Sequence, residues 1–212
     1  MNLLQVDVPR FASRLPPEKR REMARLVHEA IGGRADVNQD FFGHLDTYHH
    51  QPFYNPALSL PDLYSPNICA IDFALSHLTK RDLILDWGCG LGICGQYLRQ
   101  LGFPTIGYDA WKQLPREVAE RFQANFKIPL TLVDDFRQVD PTVVMHVSIW
   151  LADREAWDRP SVKWILSDTH YVEGTFDGPC PPGFEIFGQY TAFGRCKDYL
   201  TVFRRTENAR GA

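Results

Sequence analysis

The residues most suited to binding chemistry are a carboxylate and a set of alternating glycines that follow a short apolar run. The run ends at Asp86. Glycines then stand at every second position: Gly88, Gly90 and Gly92. Glycines let the chain bend tightly and let a ligand approach backbone N–H groups, and the helical pattern that follows points its positive end at the same place. Strand, glycine turn and helix in this order predict a loop that binds a nucleoside-containing cofactor.

Two classes of cofactor are open at this loop, because residues 90–95, Gly-Leu-Gly-Ile-Cys-Gly, also satisfy the dinucleotide pattern G-x-G-x-x-G. The charge at the predicted strand ends separates the two. Three of these ends carry carboxylates: Asp86, Asp109 and the pair Asp134 and Asp135. Asp86 would repel a dianionic pyrophosphate in a partly desolvated cleft, whereas it would attract the sulfonium and ammonium groups of S-adenosylmethionine (SAM). The acidic strand ends therefore favour SAM.

The elements that must position these residues alternate along the chain. Apolar runs predict strands at residues 83–86, 105–108, 130–133, 143–147 and 162–166. Helical patterns fall between them at 93–101 and 115–126, with a short polar piece at 152–159. Short buried strands separated by helices imply a parallel sheet with right-handed crossovers. Residues 184–193 and 199–205, joined by a tight turn, predict an antiparallel hairpin at the end of this α/β fold.

The N-terminal region has a different character. Residues 16–31 have the apolar stripe and the flanking prolines and glycine of an amphipathic helix, and 34–63 are irregular and rich in aromatic residues, as in a covering lid. A second helix is predicted to begin with Ser65 as its N-cap. We therefore expect a helix and lid region at 1–63, a cofactor-binding core at 64–206 and a tail at 207–212.

Composition limits the function classes. The 212 residues carry a net charge of −3, which gives no basic face for general nucleic-acid binding. The five cysteines form neither spaced pairs nor zinc-ligand spacing, so free thiols in the cytoplasm are expected and no metal site is predicted. No apolar run approaches the ~18 residues that a membrane span needs, so no membrane association is expected.

Residues 85–92, Leu-Asp-Trp-Gly-Cys-Gly-Leu-Gly, resemble the cofactor motif of class I SAM-dependent methyltransferases, in which D-x-G-C-G-x-G is a frequent form. The resemblance extends over roughly residues 65–205. It implies a Rossmann-like, mostly parallel sheet of seven strands with an antiparallel C-terminal hairpin, helices on both faces and the N-terminal region as an extension.

The resemblance also implies roles for particular residues. The glycine turn that holds the methyl donor comprises Asp86, Gly88, Cys89, Gly90 and Gly92. At the next strand end, Asp109 would bind both ribose hydroxyls, with Ala110 beside it. Asp135 and Phe136 resemble the carboxylate and apolar pair that hold the edge and the face of adenine, although an aromatic ring at position 136 is equally compatible with packing in the core.

Methyl transfer is an in-line displacement at an activated carbon, so the protein has to align the acceptor and, where needed, accept its proton. Base candidates should lie at the same strand ends as the cofactor. His170 is the first candidate and His146 the second, and either could instead be a structural histidine. Substrate-facing residues are expected in the lid and after the fourth core strand: Tyr48, His49, His50, Tyr54 and Trp150.

The acceptor is narrowed by what the sequence lacks. The [DN]-P-P-[YFW] signature of methylation at exocyclic amino groups is missing at residues 148–151, which read Ser-Ile-Trp-Leu. A small-molecule acceptor, methylated at oxygen or nitrogen, is therefore expected. Residues 171–183 leave little room for a helix, so that face of the sheet would suit a homodimer contact or a substrate wall. Two alternative functions stay open: a catalytically silent methyltransferase-like binding protein, and an NAD(P)-dependent oxidoreductase.

Overall fold

The computed structural model describes residues 3–5, 54–55, 60–61, 65–112, 116–124, 126–146, 154–168, 180–191 and 199–207. Its helices are α1 Ser65–His77, α2 Ile93–Gln100, α3 Arg116–Gln123 and α4 Arg154–Trp157, with a 3₁₀ turn at Phe136–Gln138. Its strands are β1 Leu3–Gln5, β2 Tyr54–Asn55, β3 Leu60–Pro61, β4 Ile84–Trp87, β5 Thr105–Tyr108, β6 Thr131–Val133, β7 Val143–His146, β8 Trp164–Asp168, β9 Phe184–Thr191 and β10 Tyr199–Arg205.

The central sheet has the strand order β1-β9-β10-β8-β7-β4-β5-β6. The pairings β4 with β5, β4 with β7, β5 with β6 and β7 with β8 are all parallel. Only β10 is antiparallel to its neighbours β8 and β9. The predicted seven-stranded, mostly parallel sheet with an antiparallel C-terminal hairpin is therefore confirmed.

An eighth strand, β1, was not predicted. Leu3–Gln5 pairs in parallel with β9, with Leu4 opposite Tyr190. The helix and lid region expected at 1–63 included no strand at these residues, because a three-residue strand is too short to show a periodicity of two. The helix predicted at 16–31 lies outside the described residues.

The core lies on both faces of the sheet, because successive strand residues point to opposite sides. Ile84 and Val143 pack on one face with residues of α1, α2 and α3. Leu85 and Val144 pack on the other face with Phe136 and residues of α4. Both faces of the central strands are therefore covered, as a mostly parallel sheet requires.

Helix α2 ends at a glycine, as predicted. Gly102 has a φ of 88° and donates its N–H to the Arg99 carbonyl at 2.8 Å. The Phe103 N–H bonds to the Leu98 carbonyl at 3.0 Å, which completes a Schellman motif. Several other predicted boundaries differ by one to three residues, most of all at α3, which ends at Gln123 instead of residue 126.

No helix in the described part of the chain is both long enough and apolar enough to cross a membrane.

Candidate functional site

The glycine turn between β4 and α2 is held in an unusual backbone conformation. Gly88, Gly90 and Gly92 have φ angles of 74°, 54° and 75°, in the left-handed region where a side chain is strained. The N–H groups of Gly88 and Cys89 both donate to the Tyr108 carbonyl, at 2.6 and 3.0 Å. The turn is thereby folded over the end of β5, where the next carboxylate stands.

Asp109 closes the turn from the β5 side. Its Oδ2 accepts the Gly90 N–H at 2.9 Å, and its Oδ1 accepts the Trp111 N–H at 3.1 Å. A carboxylate oxygen has two lone pairs, so each oxygen retains capacity for a second donor. Asp109 is only partly buried. The residue that was predicted to bind ribose hydroxyls therefore also holds the cofactor loop in shape.

Asp86 lies beneath the turn and is 4% exposed. Its Oδ2 accepts the Gly95 N–H at 3.0 Å. This approach depends on glycine at 95, because a Cβ there would stand 2.8 Å from the same oxygen. Burial, reinforced by the charge of Asp109 and opposed by the Gly95 hydrogen bond, raises the pKa of Asp86 to about 7. No basic side chain in the described part of the chain forms an ion pair with Asp86.

Two thiols flank these carboxylates. Burial, with added repulsion from Asp86, raises the pKa of both Cys89 and Cys94 well above the ordinary value, so both remain uncharged thiols. Among the described residues, no group of three or more His, Cys, Asp or Glu side chains is arranged to hold a metal ion.

At the end of β6, the two residues predicted to contact adenine differ in their exposure to solvent. Asp135 is the N-cap of the 3₁₀ turn, accepting the Arg137 N–H at 3.0 Å, and is partly exposed. Phe136 is 2% exposed and packs against Tyr108 and Trp87, with ring centroids 5.1 and 6.4 Å apart. Its ring therefore packs in the core, the alternative that the sequence left open.

Trp111 is a residue of this site that sequence reasoning missed. It is the one non-glycine residue with a positive φ, 54°, in the described part of the chain. Its indole is partly buried, and its Nε1 is buried with no hydrogen-bond partner among the described residues. Strained backbone is retained where the surroundings impose it, often at ligand sites. No sequence signal marks it beyond its place two residues after Asp109; Ala110, between them, is exposed.

Of the two candidate bases, only His146 is described. It is 8% exposed at the end of β7, and burial lowers its pKa to about 4. Its Nδ1 lies 3.5 Å from the Ser167 hydroxyl. The lowered pKa favours the neutral imidazole at neutral pH. His170 lies outside the described residues, as do four of the predicted substrate-facing residues: Tyr48, His49, His50 and Trp150. Of the fifth, Tyr54, only the backbone in β2 is described.

No protein-family model matches the chain, and no curated protein matches it in sequence. Solved structures do match in fold. Magnesium protoporphyrin IX methyltransferase (ChlM) from Synechocystis PCC 6803, solved with bound SAM, has a TM-score of 0.52 at 14% identity and covers 84% of this chain and 97% of its own.

Two further structures are similar. MtNAS in complex with MTA and tNA has a TM-score of 0.54 at 12% identity, covering 89% of this chain and 71% of its own. The glycopeptide N-methyltransferase MtfA has a TM-score of 0.50 at 14% identity, covering 68% and 92%. The chain thus has the class I SAM-dependent methyltransferase fold, as the resemblance at residues 85–92 predicted.

Proposed function

We propose that this chain is a SAM-dependent methyltransferase that acts on a small-molecule acceptor. The observation that carries the proposal is the buried carboxylate of Asp86 beneath a glycine turn that Asp109 ties down. A buried carboxylate without a described cationic partner is costly, and a positively charged ligand above it would compensate that cost. SAM carries such charge, whereas the pyrophosphate of a dinucleotide would add repulsion.

The residues present fit this cofactor at both ends. Asp109 retains lone pairs for ribose hydroxyls, and we propose that Ala110, Trp111 and Asp135 border the adenine, with Phe136 supporting them from the core. The amino-acid end would lie against the glycine turn: Asp86, Gly88, Cys89, Gly90 and Gly92. When bound, SAM supplies a methyl group on a sulfonium, already activated toward displacement. The protein then has to align the acceptor and exclude water.

We propose His170 as the group that accepts a proton from the acceptor. In the sequence it follows Asp168, the last residue of β8, by two positions, and β8 is parallel to β7, which is parallel to β4. His146 is the weaker candidate, because an imidazole with a pKa of about 4 holds a proton poorly at neutral pH. Tyr48, His49, His50, Tyr54 and Trp150 are proposed to enclose the acceptor.

Two observations support a small-molecule acceptor. The signature of methylation at exocyclic amino groups is missing at 148–151, and the slightly acidic net charge of −3 does not favour a polyanionic substrate. Three cysteines in the described part, Cys89, Cys94 and Cys180, are thiols that form no disulfide, so we also propose a reducing compartment, the cytoplasm.

Ligand binding tests the cofactor directly. We expect S-adenosylhomocysteine (SAH) at ~100 times its dissociation constant to stabilise the protein by about 2.7 kcal/mol in a thermal-shift assay, with no effect of NAD. Asp109→Ala should abolish this shift. Asp134→Ala is the matched control, because Asp134 also follows a strand but is exposed and pairs with Arg116. Stabilisation by NAD instead of SAH, or an unchanged SAH shift in Asp109→Ala, would contradict the proposal.

A further inference from the structure

A buried amide at the end of α3 is hydrogen-bonded to the glycine turn. Gln123, the last residue of α3, is 2% exposed. Its Nε2 donates to the Leu91 carbonyl at 2.7 Å and approaches the Gly92 carbonyl at 3.4 Å. Its Oε1 accepts the Leu130 N–H at 2.9 Å. One side chain therefore bridges the glycine turn and the segment that leads into β6.

Leu130 completes this support through its side chain. It is 3% exposed, and its Cδ2 occupies the space that three glycines leave free. A Cβ at Gly92, Gly95 or Gly107 would stand 2.6, 3.0 or 2.9 Å from that carbon. The backbone N–H of Leu130 is held by Gln123, so the amide positions the side chain that packs under the turn.

The Leu91 carbonyl that Gln123 binds belongs to the peptide that closes the glycine turn. A trans peptide is planar with its N–H opposite its C=O. Holding the Leu91 carbonyl toward α3 therefore sets the direction of the Gly92 N–H, which donates to the Cys89 carbonyl at 2.8 Å within the turn. The Gly92 carbonyl also accepts the backbone N–H of Gln96 at 2.8 Å, so its position ties the turn to α2. Glycines have many alternative conformations, so without such a restraint the turn would sample states that a ligand must reverse on binding.

We propose that Gln123 is a positioning residue for the cofactor: it holds the glycine turn, through the Leu91 and Gly92 carbonyls and through Leu130, in the conformation that binds SAM. This inference rests on the proposed function. Gln123 does not need to touch the cofactor, and its effect is expected on cofactor affinity beyond its effect on folding.

A matched control is present in the neighbouring helix. Gln96 of α2 is fully buried, and its Nε2 donates to the Ile128 carbonyl at 3.0 Å, in the same connection between α3 and β6. Its side chain makes no described hydrogen bond to the carbonyls of the turn. Gln96→Met and Gln123→Met remove the same amide from comparably buried positions. The Oε1 of Gln96 has no hydrogen-bond partner among the described residues, whereas both ends of the Gln123 amide are bonded, so Gln123→Met is expected to lose more stability. The comparison therefore uses SAH affinity, measured where both variants are folded.

Isothermal titration with SAH, below the unfolding temperature of every variant, tests the inference. We expect Gln123→Met to weaken SAH binding roughly tenfold or more, and Gln96→Met to change it by less than about twofold. Two results would overturn the inference and leave the proposed function standing, provided that the wild type binds SAH. In the first, the SAH affinity of Gln123→Met is within about twofold of wild type. In the second, Gln123→Met and Gln96→Met weaken SAH binding equally. Absence of SAH binding to the wild type would overturn the proposed function itself.

Gln123→Glu supplies a second test that does not depend on the methionine variant folding. An ionised carboxylate offers no donor to the Leu91 carbonyl, whereas a protonated one restores an O–H there and an acceptor for Leu130. Burial raises the pKa of such a group. The affinity gap between wild type and Gln123→Glu should therefore narrow as the pH falls from about 8 to about 6. A gap that does not change with pH would contradict the role given to this hydrogen bond.

Discussion

Asp86 is the residue whose environment departs furthest from that of a free carboxylate. Its raised pKa means that the folded protein binds the proton more tightly than the unfolded chain does. Its contribution to stability is therefore fully present below the ordinary value of 3.8 and is lost as the pH rises through about 7. The groups that face it are Asp109, Cys89 and Cys94, none of which supplies positive charge.

A pH series on Asp86→Asn tests this environment. Asn keeps an oxygen for the Gly95 N–H but carries no charge. The free energy of unfolding of the ligand-free variant should therefore increase relative to that of wild type as the pH rises from about 4 to about 8. The gain is bounded at on the order of 4 kcal/mol by the shift from 3.8 to about 7. Urea denaturation of both proteins measures it. Parallel pH profiles would show that Asp86 titrates as an ordinary carboxylate.

Residues of this site differ in how far the sequence reveals them. Asp86, Asp109 and the turn glycines were identified because each stands next to a local signal, a strand end or a glycine alternation. Gln123 carries no such signal, because its partner Leu91 is 32 residues away. Trp111 was identified by its positive φ, and its residue type does not predict that angle.

At the scale of elements, a glycine determines how closely β5 packs against the glycine turn and the segment of β6. Gly107 lies in the middle of β5 without a positive φ, so conformational freedom does not explain it. A Cβ there would stand 2.9 Å from each of three side-chain atoms: Cys89 Sγ, Leu130 Cδ2 and Leu132 Cδ2. Close packing between the turn and β6 therefore requires this glycine.

Gly107→Ala should overpack this junction. We expect a loss of about 1–3 kcal/mol in the free energy of unfolding and weaker SAH binding, because Cys89 belongs to the turn. Gly188→Ala in β9 is the control, since its Cβ would approach the Tyr190 ring at 3.1 Å, away from the cleft. The control should lose stability but keep SAH affinity. A Gly107→Ala protein with wild-type stability and affinity would contradict the packing argument.

Elements with strong local patterns were predicted well. The strand at Thr105–Tyr108 and the start of α2 at Ile93 agree with the sequence, because apolar runs and glycine stops are local. The end of α3 was predicted at residue 126, three residues too far along the chain. The helix ends at Gln123, the residue whose side-chain amide bonds to the glycine turn. That contact comes from tertiary structure, which helical periodicity does not contain.

For the whole molecule, topology brings the carboxylates together. The neighbouring strands β4, β5 and β6 run in parallel, so their carboxyl ends, with Asp86, Asp109 and Asp135, lie along one edge. The mostly parallel sheet with its antiparallel C-terminal hairpin was predicted from the alternation of elements and the family resemblance. The strand β1 was not predicted, because nothing in three residues specifies pairing with β9, a strand far along the chain.

The most direct test of the central claim, that this acidic glycine cleft binds the methyl donor, is a crystal structure of the protein with SAH. We expect ribose hydroxyls on Asp109 and the amino-acid portion against the turn above Asp86. Density for SAH remote from residues 86–92, or a cleft that stays empty in crystals grown with saturating SAH, would contradict it.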